Sequence, residues 1–116
     1  MPHIHLETTT NVSENGDIAQ ILLNLVEALS ACPTIDSKSV KAYHTLRPVW
    51  VIGEGGPQGF VHCTVMILTG RDEDLRKQIQ SAIVKVLQEG FAESLGSREA
   101  GLTVEIREMD RVTYFK

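Results

Sequence analysis

The sequence lacks the features that identify several large classes of protein. Its 116 residues contain only two cysteines, Cys32 and Cys63, which are too far apart to form a CxxC pair. We therefore expect no disulfide framework, and two thiols packed as small apolar side chains in a reducing compartment. No segment is apolar over the length of a membrane span, and the first residues lack the pattern of a secretion signal. These absences predict a cytoplasmic protein with no membrane partner.

Positive charge is scarce as well. The 11 Lys and Arg residues are outnumbered by 15 Asp and Glu residues, which gives a formal net charge of -4 without any basic cluster. This balance argues against a nucleic-acid partner. Four histidines are scattered along the chain rather than spaced like zinc ligands, and we expect no metal site from them: His3, His5, His44 and His62.

The length fits a single domain over residues 1–116, and its first half alternates between strand and helix patterns. Residues 2–8 alternate apolar and polar side chains, which predicts a half-buried strand. Apolar residues then recur at helical spacing over 18–29, and Pro33 ends that helix. Alternation returns over 40–47 and predicts a second strand.

The middle of the chain is dominated by an apolar run. Pro48 interrupts the preceding strand, and residues 49–52 are predicted to continue it as an edge or bulged segment. The glycine-rich stretch 53–59 predicts a turn. Residues 60–68 are nearly all apolar, which predicts a strand that is covered on both faces.

The last part of the chain again combines a helix with a strand. The segment 69–72 resembles a capping box, after which apolar residues over 75–95 predict a second helix. Alternation over 102–106 predicts another strand, and the tail 110–116 is predicted to add a short edge strand.

The order of elements is therefore βαβ followed by βαβ, with right-handed crossover helices. We expect an α+β fold, in which the two βαβ units form a mixed four-stranded sheet with both helices on one face. Helices on one face leave the other face of the sheet uncovered. Because the strand over 60–68 is apolar on both sides, we expect a second subunit to bury that face in a closed oligomer.

Several short motifs lie in a characteristic order on this frame. They are Met1-Pro2-His3, Phe60-Val61-His62-x-Thr64, Gly70-Arg71 leading to Arg76, Ser97-Arg98-x-x-x-Leu102-Thr103-Val104-Glu105-Ile106, and Phe115-Lys116. Their order and spacing, over nearly the whole chain, resemble the 5-carboxymethyl-2-hydroxymuconate isomerase family of the tautomerase superfamily. The resemblance implies a homotrimer whose sheets face inward, with no metal and no cofactor. It also implies an isomerase of aromatic-acid catabolism that acts on a small dicarboxylate and uses Pro2 as its catalytic base.

The chemistry of an amino-terminal proline suits that role. Removal of Met1 would turn Pro2 into a secondary amine, and burial or nearby cations would lower the pKa of that amine towards neutrality, where a base is efficient. While Met1 is present, the Pro2 nitrogen is an amide without a basic lone pair. Arg71 is the predicted cationic partner, placed where a strand ends and a helix begins so that helix N–H groups can assist in anion binding.

A second cation is less clearly assigned. The resemblance places an arginine in the strand after the first helix, but this chain has Lys41 at the matching position. Lysine supplies charge without the planar fork of arginine. Arg47, on the same strand face, is the alternative candidate for binding substrate.

Two other functions remain open. Related superfamily enzymes that decarboxylate or dehalogenate their substrates would keep Pro2 and need an acidic group to activate water, for which Glu7 is conceivable. A third possibility is a trimeric binding protein that has kept the frame and lost catalysis, and the presence of Lys41 in place of arginine favours it.

Overall fold

The computed structural model describes residues 1–116, and its backbone follows the predicted order of strands and helices. The four strands are β1 (His3–Thr9), β2 (Lys41–Arg47), β3 (Phe60–Leu68) and β4 (Gly101–Met109). The three helices are α1 (Ile18–Ser30), α2 (Glu73–Gly90) and α3 (Ala92–Gly96). None of the helices has the length and apolar character needed to cross a lipid bilayer.

The strands form one mixed sheet in the order β2-β1-β3-β4. β1 runs parallel to β2, and β3 runs parallel to β4, while β1 and β3 are antiparallel at the centre. His3 therefore lies opposite both Lys41 on β2 and Met66 on β3. One end of the sheet thus brings together the starts of β1 and β2 and the finishes of β3 and β4, which confirms the predicted mixed sheet of two βαβ units.

The two halves repeat the same backbone contact. At the start of β1, the carbonyl of Pro2 accepts a hydrogen bond from the Lys41 N–H at 3.1 Å. At the start of β3, the carbonyl of Gly59 accepts one from the Gly101 N–H at 3.0 Å. Pro2 and Gly59 therefore hold equivalent places at opposite ends of the sheet, and both are buried.

The core lies between the sheet and the helices. The inward residues of β1 and β3 are fully buried and pack against α1 and α2: Ile4, Leu6, Val61, Cys63, Val65 and Ile67 from the strands, and Leu25, Leu29, Ile79, Ile83 and Leu87 from the helices. Each fully buried Leu or Ile side chain stabilises the fold by roughly 1.5–3 kcal/mol relative to an exposed one. These positions are the apolar positions of the predicted strand and helix patterns.

The helix-free face of the sheet is more polar than the sequence suggested. On β3, His62 and Thr64 point to this face, and a hydrogen bond of 3.1 Å joins them. His62 also contacts the Thr103 hydroxyl on β4 at 2.6 Å. On the neighbouring strands, the His5 ring stacks on Tyr43 with centroids 4.8 Å apart. The expectation of a strand that is apolar on both faces is therefore wrong at His62 and Thr64.

Two segments predicted as edge strands are irregular. Residues 49–52 form no strand, although the Trp50 indole N–H donates to the Gln58 carbonyl at 3.0 Å across the loop. Residues 110–116 form a turn followed by irregular chain. Pro48 lacks the N–H that a ladder needs, and Asp110 accepts a local hydrogen bond from the Val112 N–H at 2.9 Å. Local hydrogen bonding has replaced strand pairing in both places.

Helix α2 also begins and ends at residues other than those predicted. The side chain of Asp72, not a residue at position 69, caps α2 by accepting the Leu75 N–H at 2.9 Å. The helix then breaks at Phe91, and Leu95 belongs to the separate helix α3. The capping box predicted over 69–72 would place Asp72 inside the first turn of α2, whereas Asp72 is the cap that precedes that turn, so the prediction is wrong.

Glu14 fixes α3 against the rest of the fold. Its carboxylate accepts the backbone N–H groups of Glu93 at 3.0 Å and Ser94 at 3.2 Å, and also the Ser94 hydroxyl. Burial alone would raise the pKa of the Glu14 carboxyl, but the hydrogen bonds from Ser94 and the backbone outweigh it, so the pKa is lowered. The carboxylate form of Glu14 is therefore part of the folded structure.

Candidate functional site

Pro2 lies at the end of the sheet where the two halves meet. It is buried, and its carbonyl is held by β2 through the Lys41 N–H. Its nitrogen forms the peptide bond with Met1, so the free amine in this chain belongs to Met1. Removal of Met1 would leave the amine one residue further in, about 3.8 Å away along the backbone.

The surroundings of the chain terminus disfavour a protonated amine. Burial has the largest effect in lowering the pKa of the Met1 amino group below its ordinary value of 8.0. The positive charges of Lys116, Arg71 and Lys41 lower that pKa further, while Asp36 acts in the opposite direction. These surroundings therefore disfavour the protonated form of an amine at this place.

Arg71 follows directly after β3 in a turn that depends on Gly70. Gly70 has φ 126°, a conformation that L side chains rarely adopt. From this turn the Arg71 guanidinium donates to the Thr34 hydroxyl at 2.9 Å, the Thr34 carbonyl at 3.1 Å and the Leu68 carbonyl at 3.2 Å. Three of its five N–H groups are thus used, which leaves one on each terminal nitrogen for a ligand. Two such donors match the two oxygens of a carboxylate.

The predicted assistance from the start of the second helix is opposed by acidic side chains. Asp72 caps α2, and Glu73 and Asp74 lie in its first turn. Asp72 accepts the Leu75 N–H, and the three carboxylates offset the positive end of the helix dipole. Arg71 is oriented instead by Thr34 and Leu68.

Thr34 is a hydrogen-bond partner of Arg71 that sequence reasoning missed. It lies in the connection between α1 and β2, with φ 69°, in the left-handed region that a β-branched residue rarely adopts. Its hydroxyl and its carbonyl both face Arg71. Strain of this kind persists where the surrounding contacts fix it, and it is concentrated at functional sites.

The structure places the two candidate second cations at opposite ends of β2. Lys41 lies opposite His3, beside the chain terminus. Arg47 lies opposite Thr9, about 20 Å further along the strand. Its guanidinium is paired with Glu7, with Nη2 2.6 Å and Nε 2.8 Å from the same carboxylate oxygen. Within one chain, Lys41 therefore lies near Pro2, whereas Arg47 and Glu7 do not.

A second contact that sequence reasoning missed joins the two ends of the chain. The His3 Nε2 and the Tyr114 hydroxyl are hydrogen-bonded at 2.8 Å, and the two rings meet edge to face. Burial, followed by the charges of Lys41 and the chain terminus, lowers the pKa of His3. The pair is separated by 111 residues, and no local pattern signals it.

The remaining histidines are engaged separately. His5 contacts the Thr45 hydroxyl at 2.9 Å, and His44 contacts that of Thr8 at 2.8 Å on the helix side. The chain contains no group of three or more His, Cys, Asp or Glu side chains arranged to hold a metal ion. Pro2 and Arg71 also line none of the three surface concavities, the largest of which, about 720 Å³, lies between α1 and α2. The site is thus open on one side within a single chain.

Comparison with known proteins gives a consistent result. The chain is 25% identical over 117 residues to the 5-carboxymethyl-2-hydroxymuconate Delta-isomerase of Escherichia coli, covering 100% of this chain and 93% of that protein. A crystal structure of a 5-carboxymethyl-2-hydroxymuconate isomerase from Deinococcus radiodurans R1 superposes with a TM-score of 0.88 at 29% identity, covering 99% and 87% of the two chains.

More distant structures share the fold. A structure described as a fused 4-OT wild type symmetric trimer superposes with a TM-score of 0.77 at 16% identity, covering 98% of this chain and 90% of that one. This likeness supports the tautomerase-like fold. The family model for 5-carboxymethyl-2-hydroxymuconate isomerase matches residues 2–116. Because this match extends over nearly the whole chain, the chain belongs to the 5-carboxymethyl-2-hydroxymuconate isomerase family.

Proposed function

We propose that this isomerase converts a 2-hydroxymuconate-type dicarboxylate from its enol to its keto form, with Pro2 as the base once Met1 has been removed. The observation that carries the proposal is the setting of the chain terminus, where burial and three cations lower the pKa of the Met1 amine, next to Pro2. A neutral amine near pH 7 is the form that catalysis by a base requires.

The reaction is a proton transfer that leaves the composition of the substrate unchanged. The lone pair of Pro2 takes the proton of the 2-hydroxyl group, and the electrons of that O–H bond become the carbonyl at C-2. The diene electrons shift outwards, and the resulting prolinium returns the proton to a distal carbon. The pyrrolidine ring fixes the direction of the lone pair, which keeps the amine aligned for both transfers.

Two cations have distinct roles in this scheme. Arg71 has one unused N–H on each terminal nitrogen, which suits the two oxygens of a substrate carboxylate. Lys41 lies on β2 beside the terminus and supplies a point charge for the oxygen at C-2, where negative charge develops. Arg47 is engaged with Glu7 and takes no part within the same chain.

We propose further that the protein is a homotrimer of the cytoplasm that functions in aromatic-acid catabolism. The open side of the site and the uncovered face of the sheet support assembly. A structural neighbour is described as a symmetric trimer. Sedimentation equilibrium would test the assembly, and a monomer at micromolar concentration would contradict it.

A Pro2→Ala variant tests the proposed base. Its kcat/KM with 2-hydroxymuconate should fall by about 10²–10⁴-fold, the usual contribution of a positioned acid or base. Pro48→Ala is the matched control, since Pro48 is exposed at the far end of β2. Intact mass must first show that Met1 is absent from each sample. Equal rates for Pro2→Ala and its parent would rule out the proline mechanism.

A non-catalytic binding protein is the second candidate. It is favoured by Lys41, which gives charge without the bidentate geometry of arginine. Processed protein that binds 2-hydroxymuconate and phenylenolpyruvate but turns over neither would support it. No contact favours a decarboxylase or dehalogenase, because Glu7 is occupied by Arg47.

A further inference from the structure

The carboxy-terminal tail, residues 110–116, turns back towards the amino terminus. β4 ends at Met109, whose carbonyl accepts the Thr69 N–H at 3.1 Å. The tail then turns on Asp110, and Arg111 donates from Nε to the Thr69 carbonyl at 2.6 Å. These contacts anchor the base of the tail beside the turn that contains Gly70 and Arg71.

Tyr114 lies in the part of the tail that crosses the end of the sheet. Its hydroxyl reaches His3 on β1, and β3 lies between β1 and the strand from which the tail departs. The hydrogen bond of 2.8 Å is reinforced by the edge-to-face contact of the two rings, with centroids 5.9 Å apart. Tyr114 is half-buried, in contrast to its neighbours Thr113 and Phe115, which are exposed. The tail is thus fixed at a point next to Pro2.

Lys116 follows Tyr114 by two residues, so its Cα lies within about 7 Å of the Tyr114 Cα. Its ammonium group is carried on a flexible four-carbon stem that extends from this anchored segment. The charge of Lys116 acts on the terminal amine accordingly, as the largest electrostatic contribution after burial to the lowered pKa. Lys116 is exposed and has no ion-pair partner.

Resting on the function proposed above, we propose that the tail is part of the site, with Tyr114 as a positioning residue and Lys116 as the cation for the second carboxylate of the substrate. Arg71 suits one carboxylate and Lys41 the C-2 oxygen, which leaves the far carboxylate of a dicarboxylate without a partner. Lys116 is a flexible point charge that is suited to a group placed at the open side. The tail would thereby select dicarboxylates over monocarboxylates.

Binding of two matched ligands tests this assignment. trans,trans-Muconate and sorbate are six-carbon dienes of the same geometry, with two carboxylates and one carboxylate, respectively. Calorimetry on the full chain without Met1 should show that Lys116→Ala weakens muconate binding by about tenfold, as expected for the loss of one charge-assisted contact. Sorbate binding should change by less than about twofold. Lys116→Arg should restore muconate binding.

Tyr114→Phe separates positioning from packing. The variant keeps the ring and loses the hydrogen bond to His3, so muconate affinity should fall by about threefold while sorbate affinity is unchanged. Val51→Ala is the control, since Val51 lies outside the tail, is 94% exposed and should alter the binding of neither ligand. Turnover of 2-hydroxymuconate by Lys116→Ala should show a raised KM, with kcat within about twofold of the parent value. This pattern is expected when a lost contact had stabilised the bound substrate and the transition state equally.

Three outcomes would overturn the role of the tail. In the first, Lys116→Ala loses equal affinity for both ligands. In the second, it loses affinity for neither. In the third, it binds muconate more tightly than the parent, which would mean that repulsion from the terminal carboxylate outweighs attraction by the Lys116 ammonium. A parent protein that binds neither ligand would also overturn it. A parent that shows the tail-dependent preference for muconate but turns over no substrate would contradict the proposed isomerisation alone.

Discussion

Arg71 and Thr34 lie 37 residues apart in sequence and are joined by two hydrogen bonds, from Nε to the threonine hydroxyl at 2.9 Å and from Nη2 to its carbonyl at 3.1 Å. The contact connects the turn after β3 with the loop before β2. It holds the guanidinium in one orientation before any ligand arrives. A lysine at this position could not make both bonds and also offer two donors to a carboxylate.

Arg71→Lys should therefore lower kcat/KM by about 10²-fold, the cost of removing one aligned donor from a developing or fixed charge. The measurement is steady-state turnover of 2-hydroxymuconate by protein lacking Met1. Arg98→Lys is the matched control, because Arg98 is exposed at the far end of the sheet and makes no side-chain hydrogen bond. Equal activity in both variants would show that charge alone is sufficient at Arg71.

The pH dependence of kcat/KM should reveal the lowered pKa of the terminal amine. Cations beside the amine disfavour its protonated form, and Lys41 is one of them. Lys41→Ala should raise the pKa of the amine, so the acidic limb of the profile should move to higher pH. Lys85→Ala, on the outer side of α2, should leave the limb in place. An acidic limb that does not move would exclude Lys41 as a neighbour of the catalytic amine.

Glu14→Gln should destabilise the fold at neutral pH by about 1 kcal/mol, since the half-exposed carboxylate accepts hydrogen bonds from Glu93 and Ser94 but is partly screened by solvent. The folded pKa of Glu14 is lowered from its ordinary value of 4.5. The stabilisation is therefore complete above that ordinary value and is lost as the pH falls through the lowered folded value.

Urea denaturation at pH 7 and at pH 3 would measure this difference. The difference in free energy of unfolding between Glu14→Gln and the parent should be larger at pH 7 than at pH 3. Glu89→Gln, an exposed change on α2, should show no gap at either pH. If the difference for Glu14→Gln is as large at pH 3 as at pH 7, the glutamine destabilises the fold through its shape rather than through the lost charge.

Gly59→Ala should destabilise the protein by about 1–3 kcal/mol through overpacking. A Cβ at Gly59 would collide with the Thr9 hydroxyl and the Asn11 side chain, which are hydrogen-bonded to each other. Gly96→Ala offers the contrast, since a Cβ there meets nothing within 4 Å. That change should be neutral or should stabilise the fold by up to about 1 kcal/mol. Thermal melting of the two variants would decide the point.

The sequence predicted the elements whose patterns are long and regular. Helix α1 begins and ends within a residue of the predicted bounds, because Ile21, Leu25 and Leu29 share one buried face and Pro33 follows. The central strand was found for the same reason. Short segments went wrong where a local hydrogen bond decided the structure, as at Asp72, which caps α2 from inside the predicted capping box.

The site was only partly visible in the sequence. Pro2, Arg71 and Lys41 were predicted from the family motifs, and the fold brings them to one end of the sheet. Thr34 and Tyr114 were not predicted, because their contacts with Arg71 and His3 join residues that are 37 and 111 positions apart. Arg47 and Lys41 share a strand face, and only the register of β2 on β1 distinguishes which of them lies at the terminus.

The repeated backbone contact at Pro2 and Gly59 bears on how many reactive groups each chain can offer. At both Pro2 and Gly59 the backbone carbonyl accepts a hydrogen bond from the neighbouring strand, but only Pro2 lies beside a chain terminus. Gly59 lies in mid-chain, where its nitrogen is part of a peptide bond and cannot become an amine by removal of a terminal residue. On the proposed mechanism, an electrophile that alkylates the catalytic nitrogen will reach its endpoint at one equivalent per polypeptide, whatever the size of the assembly.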